Sequence, residues 1–452
     1  MQGGEENLRL PTFRGGAHPS QKKAKTRDAA IQAFVPGGDY VFPMSQHIGA
    51  PNAPVVKNGD RVLVGTVLGA VDAFVSAPVL SSVSGTVKEI GPRLVTAGNY
   101  DTCVVVTSDG QFQRDPRWAP VPDYETCDPK EYVKRMRETG IVGYGGATFP
   151  AAVKFAPRDP CAIKWLIANG AECEPYLNCD YRLMVEHTDE IVKGMKLLLR
   201  LFPNAEGVIA VENNKPEAVA LLQEAVAALG ASRVRVQAMT VKYPQGAEKM
   251  LIEALTGQEY VVTALPADVG CIIANVRTVQ QAWRAIALGE PPTERIVTVT
   301  GDAVATPKNV RVPLGASVAD LVDFCGGFAT PPVRVLSGGP MMGVAMRDLH
   351  VPVVKGTSGI LALSAKSTLL MRPSACLRCG RCVDACPVGL VPSDLDSLVL
   401  AKRYADFEAQ GGMNCIECGC CTYVCPACRP LTQSCRDGKT YVMAARRKAA
   451  KK

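Results

Sequence analysis

Hydrophobic and polar positions follow different spacings along the chain, and each spacing predicts a different kind of element. Residues 52–107 carry short apolar runs separated by turn residues, a pattern typical of short strands. The segment KWLIANGAECEPY (164–176) predicts an apolar strand that ends in a polar turn. From residue 294, threonine- and valine-rich alternation predicts two strands and a short helix, whereas leucines at helical spacing in residues 387–412 predict a helix-rich segment. These patterns predict a multidomain protein that combines α/β and α+β domains.

The length of 452 residues exceeds what one hydrophobic core usually supports, so we expect two to four domains. Hydrophobic residues make up 47% of the chain and charged residues 21%, which is ordinary for a soluble globular protein. The longest apolar stretches are interrupted by Gln or Glu well before the roughly 18 to 20 residues that a membrane span requires. The start, MQGGEENLRLPTF, lacks the basic and apolar segments of a secretory signal. We therefore expect a cytoplasmic protein without a transmembrane segment.

The net charge of +7 is concentrated in two short basic runs, SQKKAKTR (20–27) and RRKAAKK (446–452). The first interpretation of these runs is a solvated loop and a solvated tail. The alternative is contact with anionic lipid head groups or with an acidic partner. Because no aromatic residues are interleaved with these charges to stack on bases, we expect no nucleic-acid partner.

Eighteen cysteines in a chain expected to be cytoplasmic do not indicate a disulfide framework, because that compartment keeps thiols reduced. Seven are scattered over the first 375 residues, where they are expected to be small buried hydrophobic side chains. Eleven lie between Cys376 and Cys435, and eight of these form two repeats of the pattern CxxCxxCxxxCP. The clustered cysteines are therefore candidate metal ligands.

This repeated pattern predicts two [4Fe–4S] clusters. A cubane cluster needs four thiolates, and in the two-cluster ferredoxin arrangement the fourth cysteine of each repeat binds the other cluster. The first cluster is assigned to Cys376, Cys379, Cys382 and Cys425, and the second cluster to Cys415, Cys418, Cys421 and Cys386. Zinc is the alternative, but zinc sites require neither a third CxxC step, nor the proline after the fourth cysteine, nor the repetition.

Three further cysteines, Cys420, Cys428 and Cys435, lie outside the pattern and are interpreted as non-ligands. Two neighbouring clusters each pass one electron at a time, so they form an electron-transfer pathway and not an active site. We therefore expect an electron donor site elsewhere in the chain and an electron acceptor beyond the clusters.

A glycine-rich segment in the middle of the chain is the candidate donor site. TGIVGYGGATFPAAVKF (139–155) places Gly143, Gly145 and two further glycines before an apolar stretch with helical character, where backbone N–H groups can approach a phosphate. The alternative is a structural turn. Glu172 and Glu174 lie in the polar turn after the strand at 164–176, where α/β sheets bind ligands, although two such acids alone are more often solvated.

The pair GYGGATFPAAVK (143–154) and NGAECEP (169–175) resembles the flavin-binding loops of the NADH-oxidising flavoprotein subunit of respiratory complex I. The whole chain resembles more closely the RnfC family, the C subunits of Rnf ion-translocating electron-transport complexes. This resemblance extends in family order through FRGGAHPSQKK, ENNKPEA, KYPQGAEKMLI, NVRTVQQAW, LSGGPMMGVAM and the cysteine repeats. The chain departs from the complex I pattern at Ala171 and Ala274, where that flavoprotein has an acid and a second asparagine.

The resemblance implies an FMN site with NADH as the substrate. Gly143, Gly145 and Lys154 would hold the flavin phosphate and ring, and Phe149 would lie beside the nicotinamide. The same pocket would be lined by Asn169, Glu172, Glu174, Tyr243, Gly246, Glu248 and Asn275. Glu172 and Phe149 are the expected catalytic residues. A flavin suits this chemistry, because it takes a hydride from NADH and releases the single electrons that clusters accept.

The resemblance also implies the domain order. Residues 1–118 would contain a barrel-sandwich domain like that of lipoyl carriers, 119–292 a Rossmann-like flavin and NADH domain, 293–370 a β-grasp (SLBB) module, 371–436 a two-cluster ferredoxin-type helical domain, and 437–452 a basic tail. Lys88 in SGTVKEI is not in the Met-Lys-Met turn of the carriers, so no swinging arm is expected.

Such a chain is expected to be a peripheral subunit of a translocase, a membrane-bound NADH:ferredoxin oxidoreductase that couples electron transfer to ion movement. Its partners would be Rnf subunits A, B, D, E and G at the cytoplasmic face of the membrane, with ferredoxin as an indirect redox partner. One alternative is a soluble flavin and iron–sulfur reductase of the cobalamin-reductase type, which begins at the glycine-rich loop. Another is an electron relay without a cofactor pocket.

Overall fold

The computed structural model describes residues 10–261, 264–368 and 372–449. Four folded units follow one another in the order that the sequence predicts: a small β domain, an α/β domain, a second sheet-containing unit and a C-terminal helical domain. Among the described residues, no helix is both long enough and apolar enough to cross a lipid bilayer.

An N-terminal arm, residues 10–34, crosses these units before the first domain begins. It contains helix α1 (Ala24–Arg27) and strand β1 (Ile31–Ala33). Early in the arm, Gly16 N donates a hydrogen bond to Ala385 O of the helical domain at 3.0 Å. The arm therefore joins parts of the chain that lie far apart in sequence.

The first domain consists, in the described chain, of two small antiparallel sheets around a shared core. Its strands are β2 (Asp39–Pro43), β3 (Ala53–Pro54), β4 (Arg61–Val62), β5 (Val67–Ala70), β6 (Val79–Leu80), β7 (Gly85–Leu94) and β8 (Tyr100–Ser108). The strand orders are β2–β8–β7–β4 and β3–β5–β6. Tyr40, Phe42 and Leu68 are completely buried in the core. This arrangement confirms the predicted barrel-sandwich domain.

The second unit is an α/β domain whose described strands form one parallel sheet. The strands are β9 (Trp165–Gly170), β10 (Glu206–Glu212), β11 (Val234–Met239) and β12 (Cys271–Asn275), in the order β11–β10–β9–β12. Because β10 and β12 lie on opposite sides of β9, the chain reverses its winding direction between β9 and β12. At such a switch point, the carboxyl ends of the strands leave a crevice for a ligand. The predicted Rossmann-like domain is confirmed.

Helices cover both faces of this sheet. They are α2 (Lys130–Thr139), α3 (Ala151–Lys154), α4 (Cys179–Glu186), α5 (Thr188–Leu199), α6 (Pro216–Ala228), α7 (Glu248–Thr256) and α8 (Val276–Ala287), with short 3-10 helices at Pro160–Ala162 and Pro266–Val269. Helices α5 and α8 pack closely at Gly194. A Cβ atom at this position would lie only 2.5 Å from Val279 O. The helix expected after the glycine-rich segment is the single turn α3.

The third unit is a six-stranded sheet in the described chain, and it takes one strand from the N-terminal arm. Its own elements are β13 (Glu294–Thr300), β14 (Lys308–Pro313), α9 (Val318–Phe324), β15 (Arg334–Ser337), β16 (Val344–Ala345) and β17 (Gly359–Leu363), in the sheet order β1–β14–β13–β17–β15–β16. Strand β1 pairs in parallel with β14. The side chains of this sheet share one core with the barrel-sandwich domain. The domain boundaries predicted from the sequence, with the first at residue 118, do not include the pairing of β1 with β14 or the shared core.

The fourth unit is helical. Its elements are α10 (Arg381–Asp384), α11 (Pro392–Leu400), α12 (Tyr404–Ala409), a 3-10 helix at Gly412–Asn414, α13 (Cys420–Tyr423) and α14 (Leu431–Ala449). Helices α11 and α12 confirm the helix-rich segment predicted between the cysteine repeats. The predicted basic tail is not a separate segment, because residues 437–449 continue α14; residues 450–452 lie outside the described residues.

Candidate functional site

The carboxyl edge of the parallel sheet brings together residues from separate predicted segments. Asn169 and Asn275 end or nearly end the neighbouring strands β9 and β12. The Asn169 amide donates to Gly246 O at 2.8 Å. The Asn275 side-chain oxygen accepts from Arg277 N at 2.8 Å and caps α8. The N-terminus of α8 therefore starts at the switch point, where unpaired helical N–H groups favour an anion.

The glycine-rich loop lies next to Asn275. A Cβ atom at Gly145 would lie 3.6 Å from Asn275 Nδ2, and one at Gly143 would have its nearest neighbour at 3.6 Å. Neither glycine has a left-handed backbone, so the fold itself does not require glycine at these two positions. The glycines instead leave a cradle beside the switch point that side chains would fill. The cradle fits a phosphate-bearing cofactor that is contacted by backbone N–H groups.

Lys154, Glu248 and Phe149, which the sequence predicts for the pocket, are also part of this edge. Lys154 Nζ lies 3.0 Å from Glu248 Oε2 and donates to Ile273 O at 3.0 Å. The side chains of this ion pair are 28% and 41% exposed, so the pair contributes little to stability. Phe149 is half-buried, and its carbonyl closes the glycine loop by accepting from Gly143 N at 2.8 Å.

Glu172 caps a helix. Its two carboxylate oxygens accept hydrogen bonds from Asp180 N at 2.8 Å and Tyr181 N at 3.1 Å, in the first turn of α4. The φ angle of Glu172 is 45°, a left-handed conformation that is strained for a glutamate. The carboxylate expected to be catalytic therefore fixes the turn that follows β9.

Asp180 is an acid of this edge that sequence reasoning missed. Its carboxylate accepts a hydrogen bond from Asn275 Nδ2 at 2.6 Å. The pKa of Asp180 is raised to about 6, mainly by burial and secondly by the neighbouring Glu172 carboxylate. The sequence signal that could have identified Asp180 is its position as an acid in the first turn of the helix that follows the polar turn.

The Glu174 carboxylate binds a loop of the β-grasp unit. It accepts hydrogen bonds from Met341 N at 2.6 Å and from Met342 N at 3.2 Å. A Cβ atom at Gly339 would lie 2.1 Å from Glu174 Cγ, so this contact requires glycine. Burial raises the pKa of Glu174, and the two amide donors oppose that shift. The side chain expected to line the pocket therefore joins two folded units.

The basic run at 20–27 is expected to be a solvated loop, and this expectation is wrong at Lys23. Lys23 is 8% exposed, and its ammonium group donates to Glu172 O at 2.9 Å, to Glu174 O at 3.0 Å and to Leu177 O. Burial lowers the pKa of Lys23, and the Glu172 carboxylate opposes that shift. Lys23 therefore anchors the turn after β9 to the N-terminal arm.

A buried ion pair supports the same turn from β10. Lys215 Nζ lies 3.3 Å from Glu212 Oε2, and the two side chains are 2% and 0% exposed. The same ammonium group donates to Ala171 O at 2.6 Å. Removal of either partner would leave an uncompensated buried charge, which is strongly destabilising. The motif ENNKPEA thus supports the site without forming the cradle, a role that its sequence does not reveal.

The segment 243–246 connects the sheet edge to the helical domain. Tyr243 is 1% exposed, and its hydroxyl donates to Cys418 O at 2.7 Å. Three residues later, Gly246 O accepts the hydrogen bond from Asn169. The segment 243–246, which the resemblance places in the flavin pocket, therefore contacts both the cradle edge and a cysteine loop.

The eight cysteines of the two repeats line two cavities in the described part of the helical domain. One cavity is lined by Cys376, Cys379, Cys382 and Cys425. The other is lined by Cys386, Cys415, Cys418 and Cys421. Each cavity thus combines three cysteines of one repeat with the fourth cysteine of the other, which is the grouping that the crossed assignment predicts. Four thiols around one cavity fit a cubane iron–sulfur cluster.

The two cavities differ in exposure. Cys376 of the first cavity is exposed, whereas Cys418 of the second is 8% exposed. The second cavity also lies against the N-terminal arm, where a Cβ atom at Gly15 would be 2.9 Å from Cys386 O. The second cavity therefore has the more buried cysteines and lies beside the arm and the segment 243–246, whereas the first has two exposed cysteines, Cys376 and Cys379.

Two cysteines outside the repeat pattern belong to the described lining of the second cavity. Cys420 is 0% exposed and Cys435 is 1% exposed. The neighbouring Cys435 thiol lowers the pKa of Cys415 to about 7. Cys420 Sγ donates a hydrogen bond to Tyr243 O at 3.7 Å.

A phosphate cradle at the switch point of an α/β domain, joined to two cavities lined by four cysteines each, defines a flavin and iron–sulfur electron-transfer protein. Family models match the chain in the order of its units: the RnfC barrel sandwich hybrid domain over 11–111, the Nuo51 FMN-binding domain over 136–284, the SLBB domain over 296–345 and the 4Fe-4S dicluster domain over 368–426. The predicted FMN and iron–sulfur cofactors are confirmed at the level of these domains.

Relatives match nearly the whole chain. It is 41% identical to the C subunit of the Na⁺-translocating ferredoxin:NAD⁺ oxidoreductase complex of Acetobacterium woodii, over 98% of this chain and 99% of that protein. It is 41% identical to the C subunit of the proton-translocating ferredoxin:NAD⁺ oxidoreductase complex of Clostridium ljungdahlii, over 89% of this chain and 87% of that protein. The chain belongs to the RnfC family, the C subunits of ion-translocating oxidoreductase complexes.

A solved structure shows the same fold in a more distant protein. A chain of an NAD⁺-reducing [NiFe]-hydrogenase in the air-oxidized state superposes with a TM-score of 0.50 at 20% identity, over 64% of this chain and 55% of that chain. The matched barrel-sandwich domain disfavours the cobalamin-reductase alternative, which begins at the glycine-rich loop. The matched FMN-binding domain disfavours an electron relay without a cofactor pocket.

Proposed function

We propose that this chain is the NADH-oxidising subunit of a membrane-bound, ion-translocating NADH:ferredoxin oxidoreductase, in which it relays electrons from NADH toward membrane partners. The observation that carries the proposal is the segment 243–246. It contacts the cradle edge through the Asn169 hydrogen bond and the second cysteine cavity through the hydrogen bond from Tyr243 to Cys418 O. A single short segment thus joins the site where a hydride would enter to the site where single electrons would leave.

When bound, FMN accepts a hydride and returns electrons singly, and each [4Fe–4S] cluster accepts one electron. In this proposal, the chain's residues bind and orient the flavin. The open space at Gly143 and Gly145 admits the phosphate to backbone N–H groups and to the N-terminus of α8. Lys154 supplies a positive charge beside this space, and Phe149 excludes water next to the nicotinamide.

Asn169 and Asn275 would orient the flavin ring from the two strands at the switch point, and Gly246 and Glu248 would border it. Glu172 would act as a positioning residue and not as a proton donor, because backbone amides of α4 occupy both of its carboxylate oxygens. Glu174 would act more remotely, by fixing the β-grasp loop against the turn after β9. Phe149 then remains the residue proposed to contact the nicotinamide.

We assign the cluster ligands as the sequence predicts, with Cys376, Cys379, Cys382 and Cys425 on the first cluster and Cys415, Cys418, Cys421 and Cys386 on the second. The second cluster would receive electrons from the flavin site, because Tyr243 donates a hydrogen bond to Cys418 O, on one of its proposed ligands. The first cluster would pass them on, because Cys376 and Cys379 are exposed at the surface. This order follows from burial and contact, not from the order of the repeats in the sequence.

The partners in this proposal are the membrane subunits A, B, D, E and G of an Rnf complex, with ferredoxin as the indirect redox partner. The chain would be peripheral at the cytoplasmic face of the membrane. The names of the relatives, which include the translocation of Na⁺ or protons, support this assignment. The family does not fix which ion this complex would move.

The substitution Gly145→Val tests the flavin half of the proposal, because it places a branched side chain in the cradle beside Asn275. We expect the purified variant to lose FMN and to lose NADH-dependent reduction of its clusters in EPR spectra. Its iron content and its reduction by dithionite should not change. Gly37→Val is the matched control, because a Cβ atom at Gly37 has no neighbour within 4 Å. Full FMN occupancy in Gly145→Val would contradict the proposed cradle.

A further inference from the structure

Two arginine side chains are buried beside the glycine-rich loop. Arg295, the second residue of β13, is 1% exposed, and Arg277, in the first turn of α8, is 2% exposed. Their guanidinium carbons lie 4.9 and 5.9 Å from the centroid of the Tyr144 ring, which is also buried. Tyr144 stands between the cradle residues Gly143 and Gly145. Both positive charges are therefore next to the proposed phosphate site.

Hydrogen bonds connect the loop, Arg295 and the start of α8. Arg295 Nη2 donates to Tyr144 O at 2.7 Å, and Arg295 Nε donates to Thr357 O at 2.7 Å. Tyr144 N donates to Thr278 Oγ1 at 3.1 Å, in the first turn of α8. The N–H groups at the start of α8 and the guanidinium group of Arg295 thus act on the same short loop.

The charges of the two arginines are incompletely neutralised by nearby acids. Among the described residues, no carboxylate forms an ion pair with Arg295. Asp180 interacts with the Arg295 charge from beyond ion-pair distance. Arg277 Nη2 lies 3.9 Å from Glu294 Oε1, but the same carboxylate also lies 4.0 Å from Arg311 Nε. A buried charge without a close partner is costly, so this cluster favours an added anion.

Two polar atoms of the same cluster point to the same kind of ligand. In the part of the chain that the structure describes, Arg277 Nε and the Tyr144 hydroxyl are buried and have no hydrogen-bond partner. Buried polar groups are nearly always paired. Because both groups are donors, they add to the positive potential of the cluster and do not offset it.

We propose that Arg277 and Arg295 are specificity-determining residues that make the cradle selective for a flavin that carries a phosphate. They would act through the electric field and not by contact, because the Arg295 guanidinium is held by the carbonyls of Tyr144 and Thr357. A phosphate monoester carries nearly two negative charges at pH 7, whereas riboflavin has the same ring without the phosphate. The inference rests on the proposed function for the identity of the cofactor.

The burial of the two arginines strengthens this effect. Charges in the interior are screened less by water and salt than charges at the surface. Arginine also keeps its proton under ordinary conditions, so the field does not depend on pH. The field acts on the phosphate and hardly on the uncharged ring. It therefore selects FMN over riboflavin and does not improve the binding of flavins in general.

Titration of FMN and of riboflavin onto full-length, anaerobically purified protein freed of its flavin tests this inference. Quenching of flavin fluorescence measures the two dissociation constants. In the wild type we expect FMN to bind at least about a hundredfold more tightly than riboflavin. In Arg277→Met and in Arg295→Met, FMN binding should weaken about tenfold or more, while riboflavin binding and iron content should not change.

Lysine at the same positions separates charge from shape. Arg277→Lys and Arg295→Lys keep the positive charge, so both variants should keep the preference for FMN. Arg200→Met is the matched control. Arg200 also donates to backbone carbonyls and lies 5.4 Å from the ring of Tyr132, near the start of α2, whereas the glycine-rich loop follows the end of α2. This variant should bind both flavins as the wild type does.

Three results would overturn the inference. Equal weakening of FMN and riboflavin binding in the methionine variants would show that the arginines only shape the loop. Lysine variants that lose the preference for FMN as the methionine variants do would show that charge is not the cause. A wild type that binds the two flavins equally would also contradict the inference, and this result does not require any variant to fold.

The titration uses neither NADH nor cluster reduction, so it separates this inference from the proposed function. A wild type that is reduced by NADH but binds both flavins equally would contradict only the inference. A wild type with the expected preference that NADH cannot reduce would support the inference and contradict the proposed function. A wild type that binds neither flavin would contradict both.

Discussion

Lys355 joins three folded units through one buried ammonium group. It belongs to the β-grasp unit and is 1% exposed. Its Nζ atom donates to Pro78 O of the barrel-sandwich domain at 2.8 Å and to Gly140 O of the α/β domain at 2.7 Å. Gly140 lies at the start of the glycine-rich segment, three residues before Gly143, so this contact also holds one end of the cradle. Burial lowers the pKa of Lys355 to about 7, because the interior disfavours its charged form.

This pKa predicts a pH dependence of stability. In the unfolded chain the Lys355 pKa is near 10.5, so between about pH 7 and pH 10.5 the unfolded state binds more protons than the folded state. The stability contribution is therefore complete above pH 10.5 and is lost as the pH falls to about 7. From pH 7 to pH 9 we expect the free energy of unfolding to gain about 2 kcal/mol from this group.

Chemical denaturation of wild type and of Lys355→Met at pH 7 and pH 9 measures this contribution. The variant should lose the increase with pH, because methionine fills similar space without a titrating group. Lys57→Met, at an exposed lysine, is the control and should keep the increase. An identical pH dependence in wild type and Lys355→Met would show that the lysine remains charged in the folded protein.

Residues whose role depends on local spacing could be predicted from the sequence, and residues whose role depends on distant contacts could not. The cysteine repeats could be assigned because three of the four cysteines proposed for each cluster lie within one short stretch of chain. Lys23 could not, because the carbonyls that it holds lie 149 to 154 positions away. Glu172 lies in the turn after the predicted strand, but the amides that occupy its carboxylate belong to a helix whose orientation the sequence does not give.

At the scale of elements, the two cysteine repeats fold in the same way. Each has a glycine in the left-handed conformation, Gly380 with φ 77° and Gly419 with φ 87°, followed by one turn of helix, α10 or α13. Helices α11 and α14 pack against each other around Phe407, which is completely buried. This packing brings the fourth cysteine of each repeat to the cavity of the other.

The crossed arrangement predicts a pattern of iron loss. Cys386→Ser should lower the iron content from about eight to about four atoms per chain, because it removes the second cluster only. Adding Cys415→Ser should cause no further loss, since both cysteines are assigned to one cluster. Adding Cys376→Ser instead should remove the remaining iron. Iron and sulfide analysis of the anaerobic proteins measures this, and the opposite pairing of losses would contradict the crossed assignment.

Elements defined by a strong period were predicted, and those defined by tertiary contacts were not. The apolar strand at 164–176 and the helices at 387–412 exist because their apolar positions repeat at strand or helix spacing. Strand β1 was missed because three residues become a strand only by pairing with β14, far along the chain. The sequence did not predict that residues 437–449 are helical, because their basic composition resembles a solvated segment. Helix α14 begins before them, at Leu431, and continues through them.

At the scale of the whole molecule, the N-terminal arm and the segment 243–246 hold the hydride site and the cysteine cavities together. Gly16 N donates to Ala385 O, and the Ala17 backbone pairs with Tyr243, so the arm lies between the α/β and helical domains. The linear order of domains could be predicted from motifs. Their contacts could not, because motifs carry no information about which loops meet. In the proposed function, electrons would pass from the cradle to the second cavity and then to the exposed first cavity.

This path makes the two clusters unequal, and two serine variants separate them. Cys386→Ser removes the second cluster in this account, and Cys425→Ser removes the first. Dithionite should reduce the cluster that remains in each variant, and both variants should keep FMN, because neither cysteine belongs to the cradle. These controls show that each protein is folded and loaded before NADH is added.

Freeze-quench EPR after mixing with NADH is the most direct test of the account. In Cys425→Ser, NADH should reduce the remaining second cluster as fast as in wild type. In Cys386→Ser, NADH should still reduce the flavin, but reduction of the remaining first cluster should be lost or at least about a hundredfold slower, since its link to the segment 243–246 is missing. Reduction of the first cluster at the wild-type rate in Cys386→Ser would contradict the proposed path.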